Sequence, residues 1–432
     1  MLFFTIFVFS NSFSHNMPKR LYLFILFVFF FLIGNSYAQK LSLSHSFKHS
    51  RVSFDLDRLY NYNNYERHRW GAGLDWIIPL KYDDRYGTLF QNLFITNAYF
   101  GYGTGDHAWK YGAYAGFVFP RSVISGISVS YMHDLLLAGA HSFEAYDLLN
   151  TCNNSTYFSS RYSEADKITA MSQIELPGPG KLRLSYSHYR ERLLFNASNL
   201  LFPHIYDNDA LPYQTYNTVG VDLLWGEHWK LGFLTNVTNP DYGDILNNKL
   251  FSLSFIRLLA QYSNKISFKD NHGHLALFAQ SGYVTKSAPI TQLFDLGGTG
   301  GGKYYFYNTF LTVRPNTFMS NVFSLASIRY TMGCGLWKTS LSEPRPFAQF
   351  NAMWGMFLGN DKASQTYSGM LLHAPVDGLF EPCLGIDGIL RWGLLDMGIA
   401  TAYQMTPKNS YYHIDNFFDK FAVIFIAKLV ID

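Results

Sequence analysis

The sequence predicts an all-β fold, a transmembrane antiparallel β-barrel of roughly 12–16 strands, and three observations predict it. The first is the stretch Trp109 to Asp134, which reads as two strands and a turn. Tyr111, Ala113, Ala115, Phe117 and Phe119 fall on one face and Gly112, Tyr114, Gly116 and Val118 on the other, the period of two that a pleated strand imposes. Beyond a reversal at Pro120-Arg121-Ser122, Ile127, Val129 and Tyr131 oppose Gly126, Ser128 and Ser130. One face is apolar and aromatic, the other small and polar. The second observation is composition. Aromatic residues make up 18% of the 432, with 31 Tyr and 39 Phe, and charged residues reach only 15%, against about 25% in soluble domains. The third is length. Segments near ten residues recur over residues 39–432, long for one sandwich core, since cores rarely grow past about 250–300 residues.

Export comes first along the chain. Lys19 and Arg20 precede the apolar run Leu21 to Ile33, and Ser36-Tyr37-Ala38 supplies small residues for cleavage, so residues 1–38 read as a secretory signal peptide. The run is short of the about 20 residues a spanning helix needs. Met1 to Asn16 carry no positive charge and sit awkwardly ahead of this pattern, which points to Met17 as the true start. After Ala38 no apolar run is long enough for a membrane helix, leaving residues 39–432 to the barrel.

From Gln39 to Asp106 the pattern is irregular, with a polar Tyr- and Asn-rich segment at Tyr60 to Arg69 and a strand expected at Leu93 to Tyr102. Leu135 to Asp166 reads as an extracellular loop. A hairpin follows at Lys167 to Glu175 and Lys181 to Arg190, turned by Leu176 to Gly180. Leu182, Leu184 and Tyr186 alternate there with Arg183, Ser185 and Ser187. An Arg facing the bilayer centre would cost about 2–4 kcal/mol, so the charged row is expected to face the lumen. Thr218 to Trp225 and Trp229 to Val237 form another pair, in which Val219, Val221, Leu223 and Trp225 continue across the turn into Trp229, Leu231, Phe233 and Val237. Further strands are expected at Lys249 to Phe255, His274 to Tyr283, Asn321 to Thr331, Phe347 to Phe357, Leu394 to Gln404 and Lys420 to Ile431.

Few residues suggest chemistry. Gly297 to Lys303 fits G-x-x-x-x-G-K, but Tyr304 replaces the magnesium-binding Ser or Thr and no helix pattern follows, so no nucleotide partner is expected. His272-Gly273-His274 has no further ligand at metal spacing. Cys152, Cys334 and Cys383 are odd in number, far apart and without C-x-x-C spacing, and strand-borne cysteines are expected to act as small apolar residues. The sequons at Asn153, Asn154, Asn196 and Asn236 matter only in a glycosylating pathway. A net charge of +3 is too small to argue for a nucleic-acid partner, and none is expected. A lipid hydrolase could assemble Ser and His without a local signature, for example Ser185 or Ser187 near His188, and a polar lumenal row is the plainer reading of those serines. No catalytic, cofactor-binding or metal-binding residue is assigned.

Three stretches carry a resemblance. Gly101-Tyr102-Gly103 with Trp109-Lys110-Tyr111-Gly112, then Leu293 to Gly298 followed by Phe318-Met319-Ser320-Asn321 and Phe323-Ser324-Leu325, then Glu381 to Arg391, occur in the order of an outer-membrane barrel family of Bacteroidota. The chain resembles that family, which is of unknown function and usually fused behind a carboxypeptidase-regulatory-like domain. The resemblance implies an integral outer-membrane barrel distantly similar to surface-antigen and assembly proteins. No regulatory-like or periplasmic repeat domain and no Arg-Gly-Tyr or Arg-Gly-Phe accompanies it here, and the chain ends in Asp432 rather than an aromatic residue, although Phe421, Val423 and Phe425 alternate.

The expected function is therefore a passage or envelope-assembly component of the outer membrane, without catalysis or cofactor. Its expected partners are membrane lipids, lipopolysaccharide and, during biogenesis, the barrel-assembly machinery. A barrel enzyme acting on lipid or lipopolysaccharide and a secreted β-sandwich adhesin are the alternatives.

Overall fold

The computed structural model describes residues 42–47, 50–55, 58–63, 65–80, 92–137, 161–195, 213–237, 255–269, 272–295, 310–313, 317–367, 370–392, 395–408, 410 and 413–429. The export segment, Gly297 to Lys303, Cys152, Asn153, Asn154, Asn196 and all but Phe255 of the strand expected at Lys249 to Phe255 lie outside them. The strands are β1 (Ser42–Phe47), β2 (Ser50–Asp55), β3 (Tyr60–Asn63), β4 (Arg67–Pro79), β5 (Leu93–Gly103), β6 (Trp109–Val118), β7 (Ile124–Leu137) and β8 (Arg161–Glu175). They continue with β9 (Gly180–Phe195), β10 (Gln214–Trp225), β11 (Trp229–Val237), β12 (Ile256–Ser267), β13 (His274–Val284), β14 (Phe294–Asp295) and β15 (Met319–Ser320). The last are β16 (Val322–Thr331), β17 (Arg345–Met356), β18 (Ser364–Tyr367), β19 (Met370–His373), β20 (Leu379–Trp392), β21 (Leu395–Tyr403) and β22 (Phe421–Leu429). Among the described residues no helix is long and apolar enough to cross a membrane.

Eighteen strands form one antiparallel sheet, with β14–β15 and β18–β19 as small two-stranded sheets outside it. Arg51–Phe54 of β2 and Tyr60–Asn63 of β3 lie end to end along one edge of β4. Counting that pair as one position, and setting aside the short β1 that flanks β2, leaves sixteen positions in the 18-stranded sheet. The break between β2 and β3 presses on Gly71, whose N–H donates to the Leu59 carbonyl at 3.2 Å; a Cβ there would strike the Phe100 carbonyl, so only glycine fits.

The alternation read from sequence sets the two faces. On β7, Ile127 and Val129 are 49% and 51% exposed while Ser128 between them is 6%. Val221 lies opposite Phe233, Leu223 opposite Leu231 and Trp225 opposite Trp229, so the row expected across that turn is one continuous outward stripe. Arg183, Ser185 and Ser187 face inward, as expected: Ser185 and Ser187 are buried, and Arg183 donates to Gln173 at 2.8 Å. Apolar side chains outside and buried Arg, Lys, Glu and Asp inside invert the soluble pattern, and the chain is a transmembrane antiparallel β-barrel. Aromatic pairs mark its two rims: Tyr60 and Trp70 (4.8 Å) and Tyr102 and Trp109 (5.2 Å) at one, Phe94 and Phe117 (5.1 Å) and Trp229 and Tyr262 (4.6 Å) at the other. From Trp109 to Phe117 along β6, at about 3.3 Å per residue and a tilt of roughly 40°, the axial distance is about 20 Å.

Several expectations are corrected. Leu135–Leu137 belong to β7 and residues 161–166 to β8, so the ends of the expected loop are wall rather than loop. β4 and β12 were not anticipated as strands, nor was β20 outside the resemblance. Gly71, Ala72 and Gly73 blur the alternation of β4. In β20, Pro382 and a register shift between Ile386 and Leu390 interrupt it.

Connections at 119–123, 176–179, 226–228 and 268–273 are short, and the strand ends that lead into the longer connections 138–160, 196–213, 285–318 and 357–378 lie at the opposite rim. At the short-turn rim the longer connection 332–344 is stapled to β20. The Glu343 N–H donates to the Gly388 carbonyl at 2.9 Å, the Arg391 N–H to the Leu341 carbonyl at 2.6 Å, and Arg345 and Arg391 bind the Glu343 carboxylate at 2.6 and 2.8 Å. The Arg345 hydrogen bond holds the Glu343 carboxyl below the usual glutamate range. A carboxyl lowered on folding stabilises above its unfolded pKa, about 4.3, and loses that contribution as pH falls through the lowered value. Protection of the Glu343 and Arg391 amides in hydrogen exchange is expected to be flat from about pH 7 to 5 and to fall at lower pH. Glu343→Gln is expected to abolish that fall; an identical fall in the variant would exclude this carboxylate as its source.

Candidate functional site

Two polar constellations lie on the lumenal face. The first joins strands three apart. From β4, Arg69 donates through Nε to Glu66 at 2.9 Å and through Nη1 to Asp134 on β7 at 3.2 Å, with Nη2 on Asp134 as well. Asp134 also accepts from the Tyr99 hydroxyl at 3.0 Å and from the Leu135 N–H at 2.7 Å. Arg58, at the β2–β3 break, lies 3.8 Å over the Tyr99 ring and 3.5 Å from Asp55, and Lys110 is paired with Asp106 at 2.7 Å. Burial pushes the Glu66 carboxyl above the usual glutamate range, and Arg69 pulls it back. Contacts between strands so far apart need a rolled sheet.

The second constellation holds an inserted segment. Thr291 and Gln292, in the connection between β13 and β16, reach wall strands three and four positions from β13: Thr291 donates to Glu191 of β9, and Gln292 donates to the Tyr216 hydroxyl of β10 at 3.0 Å. Tyr216 and Ser163 also donate to Glu191, the latter at 2.7 Å. Farther along the same connection, Thr312 donates its N–H and hydroxyl to Glu381 of β20, both at 2.7 Å, and Asn351 donates to the other Glu381 oxygen at 2.9 Å. Leu293, Phe294, Phe310 and Phe318 of this segment are fully buried among Tyr189, Phe323 and Met353 of the wall. Each such side chain gains about 1.5–3 kcal/mol over exposure, and a hydrogen bond to a charged group about 1.5–3 kcal/mol. Apolar burial and the hydrogen bonds to the two carboxylates therefore contribute comparably, and the carboxylates fix the register. Gly282 makes room for it, since a Cβ there would sit 2.7 Å from the Phe294 ring. None of this was legible in the sequence, where Thr291 and Thr312 have no motif and Glu191 and Glu381 lie far away.

The residues singled out in the sequence are dispersed. Ser185 and Ser187 face the lumen, Ser187 with Thr169 at 2.9 Å, whereas His188 follows on the outer face, 2.8 Å from Asn217. Neighbours on a strand point to opposite faces, so the serine–histidine couple is not assembled. His272 and Gly273 form the β12–β13 turn, where Gly273 has φ +116° and the His272 carbonyl accepts from Tyr330 at 2.6 Å. Among the described residues no group of three or more His, Cys, Asp or Glu is placed to hold a metal. Cys383 is buried with Phe347, Ala400 and Ala402 as a small apolar residue, and Cys334 is exposed in the 332–344 turn. Asn236 accepts from the Phe255 N–H at 2.8 Å.

No protein-family model matches the chain, and no curated protein matches it. Among solved structures it is similar to BamA from Haemophilus ducreyi lacking POTRA domains 1–3, with a TM-score of 0.48 and 8% identity over 91% of this chain and 75% of that one. CdiB from Escherichia coli gives 0.44 and 11% over 91% and 68%, and the outer membrane protein opdK from Pseudomonas aeruginosa 0.35 and 10% over 88% and 96%. The barrel assignment rests on the chain's own register and burial.

Proposed function

We propose that the protein is an outer-membrane barrel, exported by the signal within residues 1–38, that acts without catalysis as a passage or envelope-assembly component. Its lumen is stoppered at the long-loop rim by its own β13–β16 connection. The observation that carries this reading is the bridge from Glu191 through Thr291, past the apolar anchors, to Thr312 and Glu381. A wall strand's own ladder needs no such segment across the lumen, and this one is held at two carboxylates of the wall. Membrane lipids and lipopolysaccharide surround the barrel, and the assembly machinery inserts it.

Single-channel recording in planar bilayers tests the stopper. The intact protein is expected to conduct poorly, and a variant in which a short Gly–Ser linker replaces residues 287–318 is expected to open channels several-fold larger. Equal conductance from both proteins would remove the stopper from the account.

A further inference from the structure

At the long-loop rim the outward belt is aromatic on β4–β6 and on β21–β22. Trp70, Phe100 and Trp109 cover β4–β6, and Tyr403, Phe417 and Phe421 cluster at β21–β22 with centroids 4.8–5.7 Å apart. On β7–β10 the same belt is polar. Following the register outward from Phe100, the successive partners are Tyr111, His133, Asp166, Arg190 and Thr215. The neighbouring rows hold Glu164 with Arg192 and His188 with Asn217. The outward apolar run of β9 is therefore confined to Leu182, Leu184 and Tyr186, after which His188, Arg190 and Arg192 follow.

Charges on a barrel's outer wall are destabilising unless they meet polar headgroups at the interface. The two arginines here are not equivalent. Arg192 is engaged by Glu164 at 2.6 Å. Arg190 reaches Asp166 only at 3.4 Å, and its side chain is 55% exposed. Asp166 has other partners, His133 Nδ1 at 2.8 Å and the Tyr131 hydroxyl at 3.3 Å. Both guanidinium groups lie over the Tyr213 ring, 4.4 and 4.7 Å from its centroid, which pre-orients their planes. An exposed ion pair of this length is worth about 0–1 kcal/mol, so a phosphate accepting a bidentate bond displaces it readily.

We infer that the outer face of β7–β10 at the long-loop rim binds the phosphate-bearing headgroup of a membrane lipid, with Arg190 as its principal donor and Tyr213 as the platform beneath it. The inference rests on the membrane embedding proposed above. Glu164 holds Arg192 in place beside it, which leaves Arg190 as the guanidinium that turns to the ligand.

Native mass spectrometry of the detergent-purified protein tests this with three probes: a diphosphorylated glycolipid, the same glycolipid dephosphorylated, and inorganic phosphate. The phosphorylated glycolipid is expected to bind about ten-fold more tightly than its dephosphorylated form. Inorganic phosphate is expected to leave no adduct, since the acyl chains supply the rest of the affinity. Arg190→Gln with Tyr213→Leu is expected to remove the preference, Arg190→Lys to keep part of it, and Lys338→Gln at the other rim to leave it unchanged. Heat-modifiable migration on gels confirms that each variant is folded. Equal binding of both glycolipids, or an undiminished preference in the double variant, would overturn the site. Failure of the embedding itself registers separately, as extraction into buffer without detergent.

Discussion

Replacing Arg69 by methionine is expected to destabilise the barrel by about 3–5 kcal/mol, the cost of removing one member of a buried ion network. Arg69 faces two carboxylates, Glu66 and Asp134, both fully buried, and supplies Nε, Nη1 and Nη2 to them. After substitution Asp134 keeps, among the described residues, the Tyr99 hydroxyl and the Leu135 N–H, and Glu66 loses its pairing with Arg69. Two like charges then share one buried site, and protonating one of them relieves only part of the penalty. Urea unfolding in detergent micelles, followed by tryptophan fluorescence, measures the loss. Adding Glu66→Gln and Asp134→Asn to Arg69→Met is expected to recover more than half of it, because a network replaced as a unit leaves no uncompensated charge. A loss below about 1 kcal/mol for Arg69→Met would mean that lumenal water solvates the carboxylates as it does at a surface.

This network also shows where sequence reading stops. The wall was legible because a strand repeats every two residues, and Ile127–Tyr131, Leu182–Ser187 and Val219–Val237 carry that repeat in the residues themselves. β4 and β20 were lost because glycines, a proline and a bulge interrupt it locally, although their outward residues Trp70, Leu74, Trp76 and Leu384 obey it. The partnerships inside the barrel follow a different rule. Arg69 and Asp134 meet because the sheet curls, and Thr291 and Glu191 because a connection folds back; neither pair is constrained by its spacing along the chain. The serine–histidine couple fails for a reason the sequence does contain, since residues 187 and 188 are adjacent on a strand.

Phe233→Arg is expected to be the most damaging single change on the outer face, at about 2–4 kcal/mol, the cost of a cation near the bilayer midplane. Phe233 lies in the middle of β11, opposite Val221, with Trp229 near the short-turn rim and Val237 toward the other. Trp229→Arg, at the interface, is expected to cost about 0–1 kcal/mol, because a guanidinium there reaches headgroups and water. Gln280→Leu, on the lumenal face beside Gln261, is expected to leave insertion intact, since the side chain faces away from lipid. The difference between the two arginine variants carries the argument. Water outside the sheet would make both changes surface substitutions worth about 0.5 kcal/mol or less, whereas hydrocarbon makes the cost rise toward the middle of the strand. Urea titrations of the three variants in lipid vesicles, with the amount of heat-modifiable protein in the membrane fraction, separate these outcomes. Equal midpoints for Phe233→Arg and Trp229→Arg would show that depth along β11 is not depth in a membrane.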